Sequence, residues 1–241
     1  PGLKMVHLGG DETRRLGECP RCAEFAREKG KGGLYLEFVQ RAIQHVVDRG
    51  LTPIVWDDMI CHYPEILDEL PRELVIMYWE YWTTQVESAV FVARPEGCGV
   101  VVDRRWKEEW AGELDEVERR MIDRFTAPID FETDFSAEFL DRFGPYLGEG
   151  FPKRVRAFPY LEYYRDRGFR VIGCGAGGSN YSLWNGLPDF PRYMDNIAAW
   201  SRRMAESGCM GVVTSAWYDF PIETLMPGIM CTGQTAWNPG V

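Results

Sequence analysis

The segment His7-Leu8-Gly9-Gly10-Asp11-Glu12 joins an apolar stretch to two adjacent carboxylates. Residues 3–8 are short, apolar and closed by two glycines, which predicts a buried β-strand. Adjacent acids on a regular strand point to opposite faces. Gly9 and Gly10 allow unusual backbone angles, so both carboxylates can turn toward one cavity. The segment therefore predicts a two-carboxylate site at the end of a strand.

Strands and helices alternate outward from this segment. The predicted strands are 3–8, 52–56, 74–79, 169–173 and 211–217, and the predicted helices are 34–49, 64–70, 154–167 and 192–206. The first of these helices has apolar residues at helical spacing, namely Leu34, Phe38, Ile43, Val46 and Val47. Strands that alternate with helices predict a parallel sheet and an α/β fold. Residues 82–152 are less regular, and the charged stretch 108–125 predicts a solvated helix outside the core.

Polar and aromatic residues gather where the predicted strands end. They are Asp11-Glu12, Trp56-Asp57-Asp58, Trp79-Glu80, Asn180-Tyr181, and Trp217 with Asp219. This edge carries the active site of a (β/α)8 barrel. A doubly wound sheet also binds ligands at this edge, but it normally has a glycine-rich phosphate loop that opens a helix. The glycine run 173–178 does not open a convincing helix, so we do not predict nucleotide binding.

Composition narrows the classes of function. The chain has 241 residues and a net charge of -10, so nucleic acid is not an expected partner. No stretch approaches the apolar length of a membrane helix, and no membrane association is expected. Seven cysteines, an odd number, favour a reducing compartment. The pair Cys19 and Cys22 lacks both a zinc-knuckle partner and a thioredoxin-like context, so we interpret it as loop or buried thiols.

The pattern His-x-Gly-Gly-Asp-Glu at 7–12 resembles the hallmark of glycoside hydrolase family 20, the β-N-acetylhexosaminidases. Pro53–Asp58 resembles the family's next strand, and Val75–Trp79 resembles the strand after that. Thr214–Asp219 resembles the family's last strand. The four segments are spread over most of the chain. The resemblance implies a (β/α)8 TIM barrel, of which strands 4–8 lie in this sequence, within one catalytic domain over 1–241.

The resemblance also implies a reaction. It is retaining, exo-acting hydrolysis of terminal β-linked GlcNAc or GalNAc, in which the substrate's own 2-acetamido oxygen attacks the anomeric carbon and forms an oxazolinium intermediate. Glu12 would be the general acid/base, and we expect it to be buried beside its negative neighbour so that it can hold a proton. Asp11 would orient the acetamido group and stabilise its developing positive charge. No cofactor and no metal are implied.

The remaining candidate residues would bind substrate. Trp56, Trp79 and Trp217 are expected to pack around the sugar ring and the acetamido methyl group. Tyr181 would donate to the acetamido oxygen. Asp219 takes the place of the Glu in the family's Trp-x-Glu pattern, and its shorter side chain changes its reach toward the sugar hydroxyls. His7 is expected to be a buried structural histidine near the acids. Two roles stay open for Asp57 and Asp58: hydrogen bonds at the barrel rim, or a sugar contact.

The hallmark begins at residue 7, whereas the family carries it on the fourth of eight strands. Five strands cannot close this type of barrel. We therefore expect weak or no activity of the chain alone, and self-association or a second chain that completes the barrel. A stable monomer that turns over substrate, seen by size-exclusion chromatography and assay, would contradict this expectation.

The sequence leaves three alternatives open. The first is a two-carboxylate glycosidase in which Asp57 or Asp58 attacks the sugar directly. The second is a non-catalytic module for sugar binding or assembly. The third is a metal hydrolase that uses His7, Asp11 and Glu12.

Overall fold

The computed structural model describes residues 2–93, 99–124, 133–150, 153–178, 187–217 and 221–240. The chain forms two compact units. The first unit comprises residues 1–79 and 164–171, and the second comprises 80–163 and 172–241. Both units combine helices with strands, so the chain is of the mixed α/β type that the sequence predicts.

Helices and strands alternate along most of the chain. The first half contains β1 (Met5–His7), α1 (Pro20–Val47), β2 (Thr52–Trp56), α2 (Asp58–His62), β3 (Val75–Trp79), β4 (Glu87–Ser88), β5 (Val90–Ala93), β6 (Gly99–Val102), α3 (Arg104–Glu108) and α4 (Glu116–Arg124). The second half contains α5 (Ala137–Leu147), β7 (Val155–Arg156), α6 (Tyr160–Asp166), β8 (Arg170–Gly178), α7 (Phe190–Ser207), β9 (Gly211–Ala216) and α8 (Ile222–Trp237). Short 3-10 helices span Pro64–Glu69 and Ala111–Glu113.

Three parallel strands organise the first unit. β1 pairs with β2 with Met5 opposite Thr52, and β2 pairs with β3 with Ile54 opposite Val75. Val55 and Val75 are fully buried. Near-continuous apolar runs are typical of parallel strands that are covered on both faces. The strand predicted for 52–56 has the predicted bounds, and β1 and β3 lie inside theirs.

α1 contributes a buried stripe to the first unit. Its buried apolar side chains are Tyr35, Leu36, Val39, Ile43 and Val46. This spacing places them on one face of a helix. Phe38, one of the apolar residues at helical spacing, is 63% exposed and lies outside this buried stripe. α1 also begins earlier than predicted and contains a bend at Gly30, where φ is 75°.

In the second unit, α7 packs closely against β8. β8 pairs in parallel with β9, with Ile172 opposite Gly211. A Cβ atom at Gly173 would lie 2.4 Å from the indole of Trp200 on α7. The glycine run is therefore part of a strand, and its lack of side chains makes room for that indole. The strand predicted over 169–173 is β8, which begins at Arg170 and continues to Gly178.

The irregular region has a core of its own. Trp106, Leu114, Val117, Met121 and Ile122 are buried together with residues of β5 and β6. The predicted solvated helix over 108–125 was therefore wrong, because α4 buries one face and the preceding segment is broken. The segment 154–167, also predicted as a helix, begins with β7 and is helical only as α6. No helix in the described part of the chain has the length and apolar character needed to cross a membrane.

Candidate active site

A sharp backbone turn follows β1 and carries the two acids. Gly9 and Gly10 have φ angles of 72° and 90°. Glu12 also has a positive φ, 46°, which is uncommon for a residue with a side chain. The carbonyl of Gly9 accepts the N–H of Trp56 over 3.2 Å, so the ladder between β1 and β2 continues into the turn. The predicted break of the strand at the two glycines is confirmed.

Two aspartates after β2 hold backbone groups of the neighbouring segments. Oδ2 of Asp58 accepts the N–H of Glu12 over 2.8 Å. Oδ1 of Asp57, which is fully buried, accepts the N–H of Trp79 over 3.1 Å. Hydrogen bonds to carboxylates are stronger than those between neutral groups. Of the two roles that the sequence left open, the structure favours backbone hydrogen bonds. A carboxylate engaged in this way is poorly placed to attack a sugar.

Glu12 faces solvent. Its side chain is 53% exposed, and its carboxylate lies 2.9 Å from the guanidinium of Arg14. The expectation of a buried Glu12 beside its negative neighbour was therefore wrong. Arg14 was missed by the sequence reasoning because charged residues in loops carry no pattern that relates them to a site. The strained backbone at Glu12, fixed by Asp58, aims the side chain away from the packed interior.

His7 lies at the end of β1 against the Trp56 ring. The ring centroids are 4.6 Å apart with an interplanar angle of 57°. Nδ1 of His7 accepts the N–H of Gly9 over 3.0 Å, so the neutral tautomer carries its proton on Nε2. His7 is exposed rather than buried, but the expected structural hydrogen bond near the acids is present. Partial desolvation lowers the pKa of His7, and the Asp11 carboxylate acts in the opposite direction.

The titration of His7 gives a test of this arrangement. We expect an NMR titration midpoint below about 6.5, the ordinary value for histidine. The variant Asp11→Asn is expected to lower that midpoint further, because it removes the charge that favours the imidazolium. The unfolded chain binds more protons than the folded chain in this window, so stability falls as the pH drops through it. A midpoint that Asp11→Asn leaves unchanged would show that the two side chains do not interact.

Tyr35 lies beneath the turn and was not predicted as a site residue. Its side chain is 1% exposed, and its hydroxyl has no hydrogen-bond partner among the described residues. A Cβ atom at Gly10 would lie 2.8 Å from that hydroxyl. Burial raises the pKa of Tyr35, and the carboxylates of Asp58, Asp11 and Asp57 act in the same direction. No local pattern in the sequence marks Tyr35 as a site residue, and the apolar spacing predicted for the helix does not include it.

Some of the other predicted residues lie in one of the two units, and the rest lie outside the described residues. Trp79 ends β3 in the first unit and is partly buried. Trp217 follows β9 in the second unit and is 37% exposed. Tyr181 and Asp219 lie outside the described residues. The first unit therefore brings together His7, Asp11, Glu12, Trp56 and Trp79 at the carboxyl ends of three parallel strands.

A cavity of about 460 Å³ lies in the second unit, lined among others by Asp115, Arg120, Leu187, Phe190 and Asp195. None of the predicted site residues that the structure describes lines it. Among the described residues, no group of three or more His, Cys, Asp and Glu side chains is arranged to hold a metal ion.

Comparisons with known proteins show which proteins the chain resembles. The crystal structure of a β-N-acetylhexosaminidase from Bacteroides fragilis NCTC 9343 resembles the chain with a TM-score of 0.51 and 15% sequence identity. The match covers 98% of this chain and 37% of the length of that one. Comparison with curated proteins gives no match. Residues 2–103, which include the turn and its two acids, match the model of the glycosyl hydrolase family 20 catalytic domain. The turn and its two acids therefore lie in a segment that resembles the glycosyl hydrolase family 20 catalytic domain.

Proposed function

We propose that the chain carries the catalytic centre of a retaining exo-β-N-acetylhexosaminidase that releases terminal β-linked GlcNAc or GalNAc from a glycan or glycoconjugate. The observation that carries the proposal is the turn after β1. It presents two adjacent carboxylates at the carboxyl edge of three parallel strands, and the backbone of the second acid is held by Asp58. The family match over residues 2–103 supports a glycosidase. The particular reaction rests on the proposed roles of these side chains.

Glu12 acts as the general acid/base in this proposal. It protonates the leaving oxygen of the glycosidic bond and later removes a proton from the attacking water. The exposed carboxylate is accessible to substrate. In this proposal a bound sugar replaces Arg14 as the partner of the carboxylate. A bound sugar that covers the turn would exclude water and separate Glu12 from Arg14. The first proton transfer would then come from a desolvated carboxyl group.

Asp11 acts on the acetamido group of the substrate. Its carboxylate accepts the acetamido N–H and stabilises the positive charge that develops as the acetamido oxygen attacks the anomeric carbon. No enzyme carboxylate bonds to the sugar in this route. The engagement of Asp57 and Asp58 supports this assignment over the direct-nucleophile alternative, because a main-chain N–H holds one oxygen of each carboxylate.

Aromatic side chains complete the proposed sugar site. Trp56 and Trp79 end β2 and β3 beside the turn, and we assign them, together with Trp217, to the wall around the acetamido methyl group. Tyr181 and Asp219 are assigned to the acetamido oxygen and the sugar hydroxyls. In the same proposal, β1, β2, β3, β8 and β9 correspond to strands 4–8 of a (β/α)8 barrel.

A second candidate function rests on one observation. The ion pair between Glu12 and Arg14 occupies the carboxylate that the reaction needs. A non-catalytic sugar-binding module would keep the aromatic wall and tolerate that pair. Turnover separates the two candidates, whereas sugar binding alone does not.

The test uses the chain with an aryl β-N-acetylglucosaminide and with a thiazoline mimic of the oxazolinium intermediate. We expect weak hydrolysis, in keeping with an incomplete barrel, and we expect the thiazoline to inhibit it competitively because the mimic occupies the same subsite as the intermediate. The matched control is the aryl β-glucoside, which lacks the acetamido group and is expected to be inert. Calorimetric titration with the thiazoline gives a readout that is independent of turnover.

Three results would count against the proposal. Hydrolysis of the aryl β-glucoside at a comparable rate would indicate a direct nucleophile. Thiazoline binding without turnover would favour the non-catalytic module. Neither binding nor turnover would show that the chain does not form this sugar site.

A further inference from the structure

The cysteine pair lies at the start of α1, with Cys19 just before the helix and Cys22 in its first turn, so the interpretation as loop or buried thiols holds only in part. Cys19 is the N-cap residue of the helix, with φ -74° and ψ 150°, and Pro20 follows at the first helical position. Cys22 lies one turn further on, and its N–H donates to Sγ of Cys19 over 3.3 Å. Cys19 is exposed and Cys22 is partly buried. The two thiols therefore share the solvent-facing first turn of a helix.

We propose that Cys19 and Cys22 form a thiol–disulfide exchange site that reacts with small disulfides, Cys19 as the attacking thiolate and Cys22 as the resolving thiol. The proposal is independent of the glycosidase function. It rests on the placement of two sulfur atoms one helical turn apart, with the first of them accepting a backbone N–H and open to solvent.

The electrostatics of the helix start separate the roles of the two sulfurs. A hydrogen bond from the Cys22 thiol lowers the pKa of Cys19, and the backbone N–H of Cys22 and the Arg21 charge act in the same direction. The same thiol–thiol hydrogen bond raises the pKa of Cys22. Backbone N–H groups at a helix N-terminus and a nearby cation favour a thiolate. Cys19 is thus the sulfur that reacts first, and Cys22 keeps its proton until the second step.

The reaction consists of two exchange steps. The Cys19 thiolate attacks one sulfur of a disulfide RSSR, which forms a mixed disulfide and releases RS⁻, and RS⁻ takes a proton from solvent. Cys22 then loses its proton to solvent and attacks Sγ of Cys19, which forms the Cys19–Cys22 disulfide and releases the second RS⁻. Two thiols are oxidised and one disulfide is reduced to two thiols. The two electrons pass from the protein to the small disulfide.

The experiment treats the chain, in buffer with a chelator, with oxidised glutathione, and follows it by intact mass and peptide mapping. We expect the wild type to lose two hydrogens and to carry a disulfide between Cys19 and Cys22. Cys22→Ser is expected to accumulate a mixed disulfide with glutathione at Cys19. Cys19→Ser is expected to react at least about tenfold more slowly. Serine is itself a favourable N-cap residue, so this variant keeps the helix start, and circular dichroism checks that.

Internal controls are present in the same chain. Cys209 and Cys231 are partly buried thiols outside α1, and their alkylation rates give the reference. Cys19 that is alkylated no faster than these two would overturn the proposal. So would a wild type that keeps bound glutathione instead of forming the internal disulfide, because Cys22 would then not resolve the first adduct.

Discussion

Replacing Glu12 by glutamine is expected to lower the hydrolysis of an aryl β-N-acetylglucosaminide by a factor of about 10²–10⁴, the usual contribution of a general acid/base. Glutamine has nearly the same shape but cannot deliver or remove the proton. The backbone of residue 12 keeps its hydrogen bond to Asp58, since that bond involves the main-chain N–H. Binding of the thiazoline mimic is expected to persist. The measurement is the rate of aryl release, with calorimetry for the mimic.

Glu18→Gln is the matched control for this variant. Glu18 is exposed and lies 2.7 Å from Arg15, so the change removes the same charge and a similar surface ion pair six residues along the chain. Surface ion pairs contribute roughly 0–1 kcal/mol, and both variants are expected to stay folded. Equal loss of turnover in the two variants would mean that net charge, rather than proton transfer by Glu12, controls the rate.

The strands of the first unit could be predicted because each signal is local. Residues 52–56 form a short apolar run closed by polar residues, and β2 has those bounds. The glycines at 9 and 10 predict the turn, since only a residue without a side chain adopts such φ angles at low cost. The place of the acids at the carboxyl end of the strand follows from chain order alone.

Other features depend on contacts between distant residues, and the sequence does not encode them locally. The conformation of Glu12 depends on the hydrogen bond from its N–H to Asp58, 46 residues further along the chain. The role of Tyr35 depends on where α1 packs. As a residue type, it does not stand out from the apolar residues around it. The core around Trp106 could not be predicted from the charged stretch, because its apolar residues are divided among several short elements.

The last helix, α8, gave no usable pattern. Its sequence contains Pro227 and Gly228, which indicate a break when they are read alone. In the structure, a Cβ atom at Gly228 would lie 2.4 Å from the Cα of Gly177. The glycine is therefore required by the close approach of helix and strand. Glycine occurs both where a helix breaks and where two backbones pack closely, and only the three-dimensional structure distinguishes the two cases.

Gly10→Ala is expected to destabilise the chain by about 2–5 kcal/mol and to disturb the turn that carries the acids. A positive φ costs an L-residue about 1–2 kcal/mol, and φ at Gly10 is 90°. The added Cβ would also lie 2.8 Å from the Tyr35 hydroxyl, and overpacking in a filled interior costs about 1–3 kcal/mol more. Urea unfolding, followed by tryptophan fluorescence, measures the change in the free energy of unfolding.

Gly9→Ala is the control that separates strain from collision. Its φ is 72°, and its added Cβ would meet only Oδ1 of Asp11 at 3.9 Å, an ordinary contact distance. We therefore expect Gly9→Ala to cost about 1–2 kcal/mol from backbone strain alone.

In the double variant Gly10→Ala with Tyr35→Phe the hydroxyl is gone, and the next ring atom lies 3.8 Å away. The double variant is expected to recover about 1–3 kcal/mol relative to Gly10→Ala. Equal costs for the two alanine variants, with no recovery in the double variant, would show that the Tyr35 hydroxyl does not fix the position of the turn.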